Sequence, residues 1–241
     1  MRLVVLGIVA LAVLGWAESP IRGPIHINSV EDLLGLASGF GTVASPFVLE
    51  ELRVDAAGEP FGILIANVHA PLVIRNIEVY GATVAAIRLQ NVQNLHIENA
   101  VVYGSLTGVL LSGSKDVALR NITVKNCADG IRVMFSEGVV IEGVSVAKAE
   151  VGIWFQGVRL SRVMNSVIAE CSLGLLFELE SRGNVVARNS FLKNRIHAQS
   201  DGGNQFDDGE CGNFWEGFVA KEGEAYVIGA DFDRFPLLSP P

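Results

Sequence analysis

Cysteine is scarce, three in 241 residues, and no Cys-x-x-Cys pair occurs. That excludes a disulfide-stapled scaffold, a zinc ribbon and a thiol-redox centre. Four histidines and three methionines, one of them Met1, lie on separate segments, too dispersed to form a cage of imidazole and thioether ligands. Basic residues are outnumbered, 18 Lys and Arg against 26 Asp and Glu, for a net charge of −8. Such a balance argues against nucleic acid and anionic lipid as partners. No phosphate-binding glycine loop and no G-x-S-x-G nucleophile elbow is present. After residue 17 no apolar run is long enough to cross a membrane.

What the chain does contain is repetition. Gly62, Ala86, Gly108, Gly130, Gly152 and Gly174 each open a short apolar run: GILIANV, AIRLQNV, GVLLSGS, GIRVMFS, GIWFQGV, GLLFELE. A fixed period in this range marks a solenoid, in which each repeat buries itself only against its neighbours. Inside a repeat the alternation is that of β-strands, as in Val109 to Ser112, Val117 to Arg120 and Ile122 to Lys125. Three short strands per 22-residue coil, each stacked on its equivalent in the next coil, predict an all-β, single-stranded parallel β-helix.

The alternation also assigns directions. Ile63, Ile87, Val109, Ile131, Ile153 and Leu175 face inward in one stack, and Ile65, Leu89, Leu111, Val133, Phe155 and Phe177 in another. The second strand adds Leu72, Leu95, Val117, Val139 and Val185. The third adds Val79, Val102, Val124, Val146, Ile168 and Leu192. A corner between those strands falls on Asn76, Asn99, Asn121, Gly143, Asn165 and Asn189, residue types that tolerate positive φ. Outward on the second strand stand Arg75, Glu98, Arg120, Glu142, Met164 and Arg188, a solvated wall of cross-strand charge pairs.

Four segments follow. Residues 1–17 read as a secretory signal peptide cut near Ala17, which predicts a periplasmic or secreted product with no stable membrane span after cleavage. Cleavage removes one charged side chain, Arg2, and moves the net charge from −8 to −9. Residues 18–45 form an N-terminal cap, in which Ser29, Glu31 and Asp32 ahead of LLGLA predict a short capping helix. Residues 46–198 are the coils, and 199–241 a C-terminal cap and tail. Cys127 and Cys171 share one repeat position two coils apart, roughly 9–10 Å, too far for a disulfide. The state of Cys211 is open.

The run GTVASPFVLEELRVDAAGEPFGILIANV, then PLVIRNIEV, the coils, GNFWEGF and a terminal DFDRFPLL resembles the NosD family of right-handed parallel β-helices, with coils similar to carbohydrate-binding and sugar-hydrolase modules. The resemblance implies a periplasmic accessory protein that helps deliver copper to a client enzyme. It also implies a capping role for Phe214, Trp215 and Phe218. Copper binding is implied by the resemblance alone, with His96 as the least unfavourable ligand; Asp207 and Asp208 are a candidate weak Ca²⁺ site.

In pectate-lyase-like β-helices, which the coils resemble, ligands lie along the outer face of the first strand. Here that face carries Leu64, Arg88, Leu110, Arg132, Trp154 and Leu176 in one column, and Ala66, Gln90, Ser112, Met134, Gln156 and Glu178 beside it. The candidate ligand-binding residues are Arg88, Gln90, Arg132, Met134, Trp154, Gln156 and Glu178, unless a loop folds back over them. A glycoside hydrolase needs two carboxylates at a set separation. The face offers Glu178, while Glu98 and Glu142 are separated by Arg120, which holds both ionised. No catalytic residue is assigned. The expected function is a non-catalytic binding face for a client protein; the alternative is a carbohydrate-binding or polysaccharide-cleaving β-helix, and a third reading is an envelope spacer with no ligand.

Overall fold

The computed structural model describes residues 19–219, 221 and 223–241; the predicted signal peptide lies outside them. Eight parallel strands form one sheet, in the order Ile25–Ile27, Phe61–Ala66, Ala85–Gln90, Thr107–Ser112, Asp129–Met134, Val151–Gln156, Leu173–Glu178 and Ile196–Ser200. Each strand comes from one turn of the chain, so the fold is an all-β parallel solenoid of about eight turns. Paired residues are 22 apart through the middle coils, as in Val109↔Ile131 and Ile131↔Ile153. The inward stacks run as the alternation predicts, and Ile63, Ile87, Val109, Ile131, Ile153 and Leu175 are fully buried. Full burial of one such side chain stabilises by roughly 1.5–3 kcal/mol.

A second, twelve-stranded sheet closes the coil. Its early strands, Phe47–Asp55, Leu72–Tyr80, Gln93–Tyr103 and Lys115–Lys125, carry the predicted second and third strands as one bent element. The bend falls on Glu51, Asn76, Asn99 and Asn121, all with φ of 52–56°. Later coils break at the same corner into pairs, such as Val140–Glu142 and Ser145–Ala147, with Gly143 and Asn165 at positive φ. On the outer wall Arg75 pairs with Glu50 at 2.6 Å and Arg120 with Glu142 at 3.3 Å.

The last full coil departs from the sequence reading. Leu179 and Glu180 both take positive φ, and the partners there are 23 apart, Arg162↔Val185. One inserted residue turns every following side chain to the other face. Asn184 and Phe191, not Val185 and Leu192, therefore complete the inward columns, Arg188 takes the corner in place of Asn189, and Ala187, not Arg188, pairs with Met164 and is itself buried.

That shift brings two polar ladders into the interior. Ser161 N–H donates to Asn184 Oδ1 at 3.0 Å, Asn184 Nδ2 to Asn204 Oδ1 at 2.8 Å, and Asn204 N–H to Asp231 Oδ2 at 3.1 Å. In parallel, Ser166 N–H donates to Asn189 Oδ1 at 3.0 Å, Asn189 Nδ2 to Asn213 Oδ1 at 2.8 Å, and Asn213 N–H to Asp233 Oδ2 at 2.7 Å. The side chains thus satisfy backbone groups left bare where the coils end. An aromatic plug finishes the core: Phe191 stacks on Trp215 at 4.4 Å, Trp215 on Tyr226 at 4.3 Å, and Phe218 meets Tyr226 edge-on at 5.1 Å.

At the other end no capping helix forms. A single 3₁₀ turn, Glu31–Leu33, stands where the helix was predicted. The Asp32 carboxylate reaches back to the N–H groups of Asn28 and Ser29, at 2.8 and 3.1 Å. The chain then extends at Leu34 and turns at Gly35 with φ of 89°, a value that no α-helix accommodates.

Asp207 and Asp208 serve the C-terminal cap. Arg234 binds Asp207 through Nε at 3.0 Å and Nη2 at 2.5 Å, and Arg188 Nε donates to Asp208 at 2.8 Å. Burial alone would raise the Asp207 carboxyl, but Arg234 and the N–H of Gly209 together hold it below the usual value. Asp208 is lowered chiefly by the N–H of Cys211. A folded pKa below the unfolded one, about 3.9, gives stability that is present above that pH and lost as pH falls through the folded value. Thermal melts of the protein should therefore drop below about pH 4, and Asp207→Asn should lower the neutral melting temperature while flattening that acid limb.

Candidate binding face

The outward residues of the eight-stranded sheet stand in register. Leu64↔Arg88, Arg88↔Leu110, Leu110↔Arg132, Arg132↔Trp154 and Trp154↔Leu176 form one column. Ala66↔Gln90, Gln90↔Ser112, Ser112↔Met134, Met134↔Gln156 and Gln156↔Glu178 form the other. Parallel stacking at one strand spacing brings side chains of successive coils into contact.

Four of the candidate residues become one connected group. The Arg132 guanidinium lies 3.9 Å from the centre of the Trp154 ring, an arrangement worth about 0.5–2 kcal/mol. Arg132 Nε donates to Gln156 Oε1 at 2.9 Å, and Gln156 Nε2 donates to Glu178 Oε1 at 2.6 Å. Arg88 and Gln90 make a separate contact two coils away, 3.2 Å from Nη2 to Oε1. Burial lowers the Arg88 pKa from its ordinary value. Met134 lies between Ser112 and Gln156 in the second column.

The sequence reading missed Asp129. It opens the strand that carries Arg132 and meets the guanidinium at 3.5 Å. Burial raises its carboxyl above the ordinary value, Arg132 opposes, and Glu150 adds to the rise. The available signal was the three-residue spacing of Asp129 and Arg132 across one strand start, which alternation counting passes over. The Trp154 Nε1 atom is buried and has no hydrogen-bond partner among the described residues.

Asp129 and Glu178, two coils and five strand positions apart along the backbone, stand at the two ends of the chain of contacts that runs through Arg132 and Gln156. On the opposite wall Glu142 is held by Arg120.

Copper ligands are likewise not gathered. His96 is flanked across the sheet by Val73 and Ala118. His197 has both ring nitrogens in contact, Nε2 with the Glu216 carbonyl at 2.9 Å and Nδ1 with Asn194 Nδ2 at 3.4 Å. Met134 and Met164 lie on different sheets. Cys127 and Cys171 are buried free thiols whose pKa burial raises. Among the described residues no three of His, Cys, Asp and Glu form a group able to hold a metal ion. The residues present do not fit a copper site, and Asp207 and Asp208, already engaged by arginines, do not fit a calcium site.

Stacked parallel coils with one long outward face define a parallel β-solenoid with a candidate binding surface. The chain belongs to the NosD family, described as periplasmic copper-binding protein (NosD), whose pattern matches residues 54–220. No curated protein matches it. Among solved structures it is similar to the A-module of the mannuronan C-5 epimerase AlgE6 of Azotobacter vinelandii, with a TM-score of 0.56 and 18% identity. That match covers 64% of this chain and 43% of the module, so the chain spans less than half of the module's length. An alginate lyase from Paenibacillus sp. strain FPU-7 matches with a TM-score of 0.44 and 12% identity, over 89% of this chain and 99% of its own. No described helix is long and apolar enough to cross a membrane.

Proposed function

We propose that this protein is an exported, non-catalytic accessory β-helix that offers the outer face of its eight-stranded sheet to a client protein in the periplasm. The coiling in this reading is right-handed, the hand taken by nearly all strand–crossover–parallel strand connections. The signal peptide ends near Ala17. The observation that carries the reading is the group of Asp129, Arg132, Trp154, Gln156 and Glu178. It presents arginine and tryptophan, the residue types that dominate protein interfaces. Family membership supports a part in copper delivery, and the chain acts there by docking the client, since its own side chains do not assemble a copper site.

A carbohydrate ligand is the second reading, favoured by one observation, a tryptophan on a long parallel face. It is weakened because the Arg132 guanidinium already covers one face of the Trp154 ring, a surface on which a sugar would stack.

Two measurements separate them. A photoreactive group placed at Gln90 should give one discrete adduct with a periplasmic protein, lost by about tenfold in Arg132→Glu, as expected when about 1.4 kcal/mol of binding is removed. Titration of the protein with Cu(I), Cu(II), Ca²⁺ and neutral or uronate oligosaccharides should leave its melting temperature unchanged, because a ligand stabilises only by RT ln(1 + [L]/Kd). A sugar-dependent rise that disappears in Trp154→Ala, with no protein adduct, would replace the first reading by the second.

A further inference from the structure

Two arginines stand in one outward column of the eight-stranded sheet, two coils apart, and their surroundings differ. The charge of Arg132 is answered within the chain. Asp129 lies at 3.5 Å, Gln156 Oε1 accepts from Nε at 2.9 Å, and the Trp154 ring centre lies 3.9 Å from the guanidinium. Arg88 meets other residue types at the equivalent places. The register carries Asp129 to Thr107 and then to Ala85, three residues before Arg88, so no carboxylate opens that strand. Leu110 pairs with Arg88 where Trp154 pairs with Arg132.

The partner that Arg88 does have is neutral. Its Nη2 donates to Gln90 Oε1 at 3.2 Å. A guanidinium carries five N–H donors, and the others find no acceptor among the described residues. The side chain is half-buried between Leu64 and Leu110. Burial lowers its pKa, and no carboxylate opposes that shift. A charge drawn part-way out of water without an opposite charge is a cost that the fold itself does not recover.

Pairing, not net charge, sets Arg88 apart. The outward residues around it, Leu64, Ala66, Gln90, Leu110 and Ser112, include no acid. Glu59, at the corner before the preceding strand, is exposed and makes no ion pair with Arg88. Glu178, four strands further on, already receives Gln156.

We infer that Arg88 is an open anion subsite of the face and takes a carboxylate of the client protein, from a side chain or from the C-terminus of its chain. This rests on the client-binding reading and names the group that the client must carry. A planar guanidinium with free donors holds a carboxylate through two parallel hydrogen bonds. Leu64 and Leu110 then meet apolar residues on either side of that acid. A uronate is the poorer fit, because its hydroxyls would face those leucines and Ala66 unpaired.

The test uses the full chain with a photoreactive group at Ser112, which pairs with Gln90 in the second column. Wild type should give a discrete adduct with a periplasmic protein, weakened by added salt. Arg88→Gln should lower the yield at least about tenfold and remove most of the salt dependence. The variant breaks no ion pair, so it should melt at or above the wild-type temperature, and lost binding is then not lost folding. In protein carrying isotope-labelled arginine, the Arg88 Nε–H resonance is identified by its absence in Arg88→Gln. It should shift with acetyl-leucyl-glutamyl-leucine amide or with acetyl-trileucine bearing a free C-terminus, and stay in place with acetyl-leucyl-glutaminyl-leucine amide. Whichever acid moves it further names the source of the carboxylate. An equal shift with the glutamine peptide, or with sodium chloride at the same concentration, overturns the assignment. So does a shift by trigalacturonate at lower concentration than by either acid peptide, which would name a polysaccharide as the occupant. If the Ser112 adduct forms normally in Arg88→Gln, the Arg88 assignment fails while the face reading stands; if neither the Ser112 nor the Gln90 adduct forms in wild type, the face reading fails first.

Discussion

Asp233→Ala is expected to lose roughly 3–5 kcal/mol of stability in urea unfolding. The side chain is fully buried. Its Oδ2 accepts from Asn213 N–H at 2.7 Å and from Trp215 Nε1 at 2.9 Å, and its Oδ1 from Phe235 N–H at 2.9 Å. Truncation leaves two buried donors, Asn213 N–H and Trp215 Nε1, without that acceptor, each costing about 1–3 kcal/mol, while the half-buried Phe235 N–H can turn to water. The damage does not stop there, because Asn213 holds Asn189, and Asn189 holds the backbone of Ser166. A loss below about 1 kcal/mol would show that water replaces the carboxylate, and that the ladder is not anchored at this residue.

The sign of the pH dependence separates Asp233 from Asp207. Burial pushes the Asp233 carboxyl up, and the donors around it recover only part of that shift. A raised folded pKa gives stability that is complete below the unfolded value and declines as pH rises through the folded one. Asp233→Asn, which keeps one acceptor oxygen, should thus cost less at pH 7 than at pH 3. Asp207→Asn should show the reverse order.

How far the sequence reading reached follows from what alternation reports. Val109, Ile131 and Ile153 are interior because hydrophobic residues repeat at both period 2 and period 22, and both signals survive without knowledge of contacts. The outward columns follow from the same count, which is why Arg132, Trp154, Gln156 and Glu178 were found together. Alternation fails where one residue is inserted. The extra residue at Leu179–Glu180 has no hydrophobic signature, so Asn189 was placed at a corner when it is buried. The ladders were invisible for a related reason: a buried asparagine in a β-arc and an exposed one in a turn have the same composition, and only their hydrogen-bond partners differ. At the N-terminus Ser29 does not cap a helix: the 3₁₀ turn starts from Val30 with no side-chain cap, and Gly35 at positive φ follows it directly after Leu34. The left-handed turns at Phe135 and Leu160 were equally hidden, since positive φ at those positions goes against residue preference.

Gly152→Val is expected to destabilise by about 3 kcal/mol or more, at the upper end of overpacking costs. A Cβ at Gly152 would lie 2.5 Å from the Gly174 carbonyl oxygen, 2.7 Å from Ile168 Cγ2 and 3.3 Å from Cys171 Sγ. Gly130 meets the Gly152 oxygen at 2.3 Å in the same way. The obstacle is backbone, and backbone that cannot retreat: the coil is held one strand spacing from its neighbours by parallel pairing on both sides, Asp129↔Val151 and Val151↔Leu173. Ala86 occupies the equivalent place one coil below Gly62 and is fully buried, so a single methyl is tolerated in the upper coils, and Gly152→Ala should cost about half as much as valine. In a one-dimensional stack a weakened interface also uncouples what lies on either side. Urea unfolding of Gly152→Val should therefore show a reduced m-value, or a separate early loss of Trp215 fluorescence from the C-terminal plug, while strands before Gly130 stay protected from hydrogen exchange. A single transition with the wild-type midpoint would mean that the corner opens without strain and that the glycine column is not what sets the height of each turn. Trp154 lies two residues further along the same strand, so the close approach at Gly152 also determines how far the candidate face stands from the core.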